Sequence, residues 1–109
     1  MAYDEHIAAR IGSLLGRTHT FEEKKMFGGV AFMVRGHMAI GIGKDGLMVR
    51  VGKEAYEDAL AQPHAREMEF TGKPMKGYVY VNPDGLQTDT DLQSWIDRSL
   101  TFNATMEAK

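Results

Sequence analysis

The residues of this chain that could do chemistry form only weak patterns. Residues 41–46, Gly-Ile-Gly-Lys-Asp-Gly, match the G-x-G-x-x-G pattern of dinucleotide-binding loops. In such loops a helix follows, and its N-terminus receives the pyrophosphate. Here the strand-like residues 47–51 follow, so we interpret the pattern as a hairpin turn. The carboxylate pairs Glu22/Glu23 and Glu67/Glu69 lack the apolar surroundings that raise a pKa for acid/base catalysis.

Metal-binding and nucleophilic residue types are also scattered. The 4 histidines show no spacing that would direct two rings at one ion. Ser13, Ser94 and Ser99 lie in predicted helices and not at a nucleophile elbow, and the chain contains no cysteine. We therefore predict that the protein is not an enzyme and that it carries no metal or cofactor.

The composition predicts one folded domain over residues 1–109. Apolar residues make up 43% of the chain, enough to form a core. The absence of cysteine suits a reducing compartment, and the N-terminus is acidic where a secretory signal would be basic and then apolar. No apolar run approaches the roughly 20 residues that span a bilayer. We therefore expect a cytoplasmic protein that does not bind membranes.

Hydrophobic periodicity places the elements that must position any site. Residues 4 to 16 predict a helix, and residues 26 to 51 predict three strands joined by tight turns. A short helix at 53 to 61, strands at 68–70 and 77–81, and a helix from about residue 88 complete the order. The expected fold class is α+β, a two-layer domain with a five-stranded antiparallel sheet in a meander and three helices, in the order α-β-β-β-α-β-β-α.

Local signals define the helix ends. We expect Asp4 to cap the first helix and Gly16 to end it in the left-handed conformation. We expect Thr90 and Gln93 to form a capping box at the start of the last helix.

Alternation along the strands predicts two different sheet faces. One face should be the core; it carries Val30, Phe32, Val34, Met38, Ile40, Ile42, Leu47, Val49 and Val51. The opposite face carries small residues and Met, namely Gly29, Ala31, Met33, Ala39, Gly41, Gly43, Met48 and Arg50. Either Tyr78 and Tyr80 or Val79 and Val81 join it. We predict that this face contacts a protein partner or a second copy of the chain; alternatively it is a half-exposed sheet or is covered by a helix.

Two glycine-containing segments carry basic residues that could bind an anion. Gly28 and Gly29 could form a backbone nest beside Lys24 and Lys25, or they could mark a bulge or a site of close packing. Residues 73–76, Lys-Pro-Met-Lys, predict a rigid basic loop near Arg50 and Lys25, or an ordinary turn. Basic residues concentrate in the central part of the chain, but the net charge of −2 disfavours DNA as a partner.

Four ordered blocks carry a family resemblance. Residues 25–33, 45–52, 70–81 and 91–96 together resemble the N-terminal domain of the TfoX/Sxy family of competence regulators. The resemblance covers roughly residues 10 to 103 and implies a secretion-chaperone-like fold. The chain looks like the free-standing single-domain members of this family, and the resemblance implies a bacterial regulatory module. The family's namesakes are positive regulators of competence genes that act with a cyclic-AMP-responsive activator.

The expected function is therefore a non-catalytic regulatory module that acts through protein–protein contacts. The expected binding residues are Lys25, Phe27, Gly28, Gly29, Met48, Arg50, Lys73, Met75 and Lys76. Two alternatives stay open. The chain could sense a small molecule or an anion, or it could bind nucleic acid directly through Lys25, Arg50, Lys73 and Lys76, although we do not expect direct nucleic-acid binding.

Overall fold

The computed structural model describes residues 4–26, 28–44, 46–70 and 72–107, with all their side chains except those of residues 26, 69, 70 and 73–75. The described residues form three α-helices, six strands and one 3-10 turn. In chain order these are α1 (Glu5–Leu15), β1 (Glu22–Met26), β2 (Gly29–Val34), β3 (His37–Gly43), β4 (Gly46–Arg50), α2 (Tyr56–Leu60), β5 (Ala65–Phe70), β6 (Lys73–Val81), the 3-10 turn Pro83–Leu86 and α3 (Asp89–Asn103).

The sheet is antiparallel throughout, which confirms the predicted α+β class, but the described residues form six strands and the prediction of five was wrong. The additional strand is β1. Its sequence, Glu-Glu-Lys-Lys-Met, has no apolar alternation, and residues 22 to 25 are all exposed. An edge strand whose described side chains are all exposed leaves no hydrophobic period in the sequence, so periodicity could not reveal it.

The strand order is β1-β2-β3-β4-β6-β5, so the predicted meander is also wrong. The connection between β4 and β5 is long because it contains α2, and it carries the chain past the next position in the sheet. As a result β6 lies beside β4, and β5 is the edge strand. The rigid basic loop predicted at residues 73–76 is also wrong, because these residues belong to strand β6.

The three helices pack on one face of the sheet and bury the predicted core. Ile7, Ile11 and Leu15 of α1 and Leu92 and Ile96 of α3 belong to the same buried cluster as the strand residues. The fully buried strand side chains include Phe32, Val34, Ile40, Ile42, Leu47, Val49 and Val79. The core prediction therefore holds for the central strands. No helix in the described part of the chain is long and apolar enough to cross a membrane.

Met38 is an exception to the predicted core, and a β-bulge is the reason. The register between β2 and β3 shifts at Phe32/Met33, so that Met38 lies opposite Met33. Ala39 is the extra residue, and it is buried in the core cluster. Because one inserted residue reverses the facing of its neighbours, Met38 points to the opposite face of the sheet and is only half-buried.

The helix ends follow the predictions only in part. Asp4 caps α1, and its Oδ1 accepts hydrogen bonds from the backbone N–H groups of His6 and Ile7 at 2.9 and 3.2 Å. Gly16 has a φ of −65°, so it continues the right-handed conformation and the predicted left-handed stop was wrong. Thr88, not Thr90, caps α3, because its Oγ1 accepts from the N–H of Asp91. The helix predicted at 53–61 is shorter, at Tyr56–Leu60.

The turn between β2 and β3 is fastened to the end of α3. Arg35 and Gly36 have φ values of 56° and 83°, as a two-residue type I′ hairpin turn requires. The Arg35 guanidinium donates a hydrogen bond to the Asn103 carbonyl at 2.8 Å. The buried Asn103 side chain in turn donates from Nδ2 to the Val34 carbonyl at 2.9 Å. We call this pair of contacts the hairpin clasp.

Asn103→Ala is expected to lower the free energy of unfolding by about 0.5–1.5 kcal/mol, because the Val34 carbonyl loses the hydrogen bond that the buried Asn103 side chain donates. Urea denaturation measures the change. Thr101→Ala on the same helix is the matched control, since that side chain is exposed and its hydroxyl donates only to the Asp97 carbonyl within α3. Equal stability of the two variants would contradict the role of the clasp.

Candidate functional site

The candidate site is the sheet face away from the helices, which we call the second face. One register row crosses all six strands of the described sheet on this face: Lys24, Ala31, Gly41, Met48, Tyr80 and Arg66. Side chains alternate along a strand, and Val79 and Val81 of β6 are fully buried in the core. Tyr78 and Tyr80 therefore lie on the second face, which resolves the alternative that the sequence left open.

Small residues form the floor of this face, and Met48 covers them. A Cβ placed on Gly41 would lie 3.2 Å from the Met48 Cε, and one placed on Gly43 would lie 3.5 Å from it. Met48 itself is only 3% exposed, and Ala31 is fully buried. The centre of the second face is thus closed within one chain. Its accessible apolar surface comes from the half-buried side chains that surround this centre.

Those surrounding side chains include two arginines stacked on aromatic rings. Arg50 is the last residue of β4, and its Cζ lies 5.5 Å from the ring centroid of Tyr78 and 5.4 Å from that of Phe102 of α3, so its guanidinium lies at the end of the strand, between the second face and the helix layer. The Cζ of Arg66 lies 4.8 Å from the ring centroid of Tyr80, and its Nε donates to Asn82 Oδ1 at 2.9 Å. Such cation–π contacts are worth about 0.5–1 kcal/mol at exposed sites. They favour the stacked positions of the guanidinium groups and the phenol rings.

Met33 and Met38 complete the surroundings as a cross-strand pair at the bulge. Both are half-buried, and both lie on the second face. Met38 was predicted in the core, and Arg66 was not among the predicted binding residues. The bulge has no sequence signal, and Arg66 precedes the predicted start of its strand, so neither could be placed by periodicity.

The structure brings together only part of the predicted binding set. Met48 and Arg50 lie on the second face. Lys25 is exposed on β1, which β2 and β3 separate from β4, so Lys25 and Arg50 do not form one basic cluster. Gly29 is the first residue of β2, and Gly28, which precedes it in the β1–β2 connection, has a φ of 74°.

The structure describes the side chain of only one of the four remaining predicted residues. Phe27 lies outside the described residues, and so do the side chains of Lys73 and Met75. Lys76 is exposed on β6. Its binding role, like that of the whole predicted set, remains a prediction.

Among the described residues, no group of three or more His, Asp or Glu side chains could hold a metal ion. A groove of about 720 Å³ runs between the end of α3 and the segment that precedes α2; Phe102 and Arg98 are among its lining residues. The Arg98 guanidinium is already paired with Asp58 at 2.9 Å and stacked near the Trp95 ring. The groove therefore offers mainly apolar contact.

One buried titratable group lies under the helix layer. The Tyr56 hydroxyl finds no hydrogen-bond partner among the described residues. Burial raises the pKa of Tyr56 above its ordinary value of 10.0, and the neighbouring Glu67 carboxylate raises it further. Tyr56 belongs to the core cluster, on the other side of the sheet from the second face.

Tyr56→Phe is expected to flatten the loss of stability at high pH. Above about pH 10 the unfolded chain loses the Tyr56 proton while the folded chain keeps it, so the unfolded state binds fewer protons and the free energy of unfolding falls as pH rises. Urea denaturation from pH 8 to 11.5, roughly the range on both sides of an ordinary tyrosine pKa, measures this slope. A decline in Tyr56→Phe as steep as that of the wild type would contradict the prediction.

Comparison with known protein families found a match over most of the chain. The profile of the TfoX N-terminal domain matches residues 13–103 of the 109-residue chain. The match begins within α1 and ends at the last residue of α3, so it includes every strand of the described sheet. Searches against curated proteins and against solved structures found no match. The predicted resemblance is therefore confirmed, and the chain belongs to the TfoX N-terminal domain family.

Proposed function

We propose that this domain is a non-catalytic regulatory module that binds a protein partner through its second face. Its family membership supports a module of the competence-regulator type. The observation that carries the choice of surface is the division of the sheet. The helices cover one face, whereas the other presents Met, Tyr and Arg side chains around a closed centre.

The composition of the second face supports a protein as the ligand. Met, Tyr and Arg are enriched in protein–protein interfaces, and Tyr and Arg are frequent among the residues that dominate binding energy. Met33 and Met38 are half-buried and unbranched, so they can adapt to a partner's shape. Polar tips on Tyr78 and Tyr80 add hydrogen-bonding groups at the rim.

The packing of the side chains on this surface supports the same conclusion. Arg50 and Arg66 are stacked on aromatic rings, and the small residues beneath Met48 are closely packed against it. A surface whose side chains are already positioned loses less conformational entropy when a partner binds. By contrast, Lys25 and Arg50 lie on strands that are not neighbours, so direct nucleic-acid binding through one basic cluster has less support.

The test is affinity capture with three baits, namely the wild type, Met33→Glu and Met106→Glu. Met33→Glu places a charge on the second face, where it should reduce partner recovery at least about tenfold. Met106 is also half-buried but follows α3, outside the sheet, and serves as the matched control. Recovered proteins are quantified by mass spectrometry, with and without nuclease treatment.

A partner that the wild type and Met106→Glu recover equally and that Met33→Glu loses supports the proposal. Recovery that disappears after nuclease treatment would identify nucleic acid as the ligand and overturn it. If no protein depends on Met33, the second face is not the binding surface. A urea midpoint for Met33→Glu close to that of the control establishes that the folded domain was compared.

A further inference from the structure

The edge strand β1 has features that its role in this fold does not require. Residues 22 to 25 are exposed, so the strand contributes no described side chain to the core. Nevertheless, it pairs with β2 without interruption over all five residues. The opposite edge strand, β5, is irregular, because its register with β6 shifts between Glu67 and Glu69. A regular edge leaves backbone N–H and C=O groups available to another strand, whereas an irregular edge is protected.

The order of charges along β1 allows two copies of this strand to attract each other when they pair antiparallel. Two copies of the strand can pair antiparallel about a two-fold axis perpendicular to the sheet, with Glu23 opposite Glu23 of the other copy. Because directly opposed residues share a face, Glu22 of each copy then lies opposite Lys24 of the other. This gives two direct pairs of opposite charge on the second face. On the helix face Lys25 lies diagonal to Glu23 of the other copy, which offsets the like pair at the axis.

Charged edge strands commonly prevent aggregation, but the order of charges decides between repulsion and pairing. A run of lysines would repel a second copy in every register. The order Glu-Glu-Lys-Lys carries no net charge and attracts its own reverse. Neither proline nor a bulge interrupts the pairing of β1 with β2. The pattern therefore fits a second copy of this strand better than an unrelated strand with a different charge order.

We propose that the protein forms a homodimer by antiparallel pairing of β1 with β1 of a second copy, with Glu22 opposite Lys24 across the two-fold axis. The two sheets then form one continuous twelve-stranded sheet. Each chain uses its single regular edge, so the assembly closes as a dimer and does not extend into a fibre. Both second faces lie on the same side of the joined sheet. The proposal does not depend on the partner proposed for the second face.

The test is sedimentation velocity of purified protein from about 5 to 500 µM, the range in which a short strand interface would associate. Lys24→Glu replaces both attractive pairs by repulsion and should raise the dimer dissociation constant about tenfold to hundredfold. The double variant Glu22→Lys/Lys24→Glu exchanges the two charges and should restore dimerisation to within roughly threefold of the wild type. Lys44→Glu, which makes the same charge change at an exposed turn, should behave as wild type.

Each result supports or overturns the proposal. Dimerisation that is lost in Lys24→Glu, restored in the double variant and weakened by salt supports it. A wild type that stays monomeric throughout the range overturns it, and so does a dimer that Lys24→Glu leaves unchanged. Failure of the double variant to recover overturns the register. All exchanged side chains are exposed, and matching urea midpoints establish that the variants are folded.

Discussion

Gly29→Ala is expected to lower the free energy of unfolding by about 3 kcal/mol, the upper part of the range for overpacking. A Cβ at Gly29 would meet the Ile42 carbonyl oxygen and would lie 2.8 Å from the Gly43 Cα. Both contacts are with the backbone of β3, which cannot rotate away as a side chain can. The mutation therefore forces β2 and β3 apart at the edge of the core. Urea denaturation followed by circular dichroism measures the loss.

Gly43→Ala is the matched control for this prediction. It lies on the neighbouring strand and on the same face, but the nearest atom to its added Cβ would be the Met48 Cε at 3.5 Å, an ordinary van der Waals distance. We expect its free energy of unfolding to change by less than about 1 kcal/mol. Similar losses in the two variants would mean that the loss of glycine itself, and not the close approach of the strands, sets the cost.

Phe32→Ala is expected to lower the free energy of unfolding by about 3–5 kcal/mol. Phe32 is fully buried in the middle of the helix-facing side of the sheet. Its ring centroid lies 5.5 Å from that of Phe21, so the truncation removes an aromatic contact and leaves a cavity. The expected outcome is a shift of the urea midpoint with an unchanged m value, because the surface exposed on unfolding remains similar.

Met33→Ala tests the two-faced sheet from the adjacent position. Met33 is half-buried on the second face, so its truncation should cost less than about 1 kcal/mol. Because Phe32 and Met33 are consecutive, any effect that is common to this part of β2 appears in both variants. A loss in Met33→Ala as large as that in Phe32→Ala would contradict the assignment of the second face as the uncovered side.

The sequence was informative where a side chain is buried or caps a helix. Asp4 and the apolar spacing of α1 predicted that helix, and the alternation from Val30 to Val51 predicted most of the core. The sequence was uninformative where the path of the backbone, and not the burial of a side chain, determines the strand register or the strand order. The bulge that turns Met38 to the second face shifts the strand register by one residue, and no residue type in β2 or β3 marks this shift in the sequence. The pairing of β6 with β4 depends on the path of the chain beyond α2, which local periodicity does not record.

The candidate site illustrates the same division. Met48 and Arg50 could be predicted on the second face because β4 is a regular strand, in which successive side chains point to opposite faces of the sheet. Whether Tyr78 and Tyr80 joined them required the pairing of β6 with β4. The expected proximity of Lys25 to Arg50 failed because β1 was not recognised as a strand, and its position at the edge of the sheet separates the two residues.

The hairpin clasp also affects the order in which the domain is assembled during synthesis. The hydrogen bonds of Arg35 and Asn103 join residues 68 and 69 positions apart, so the β2–β3 hairpin emerges from the ribosome long before its partner on α3. Leu92 and Ile96, which cover the sheet, emerge equally late. The part of the core that α3 covers can therefore be buried only after α3 has been synthesised. Apolar surface that is exposed during such an interval promotes aggregation.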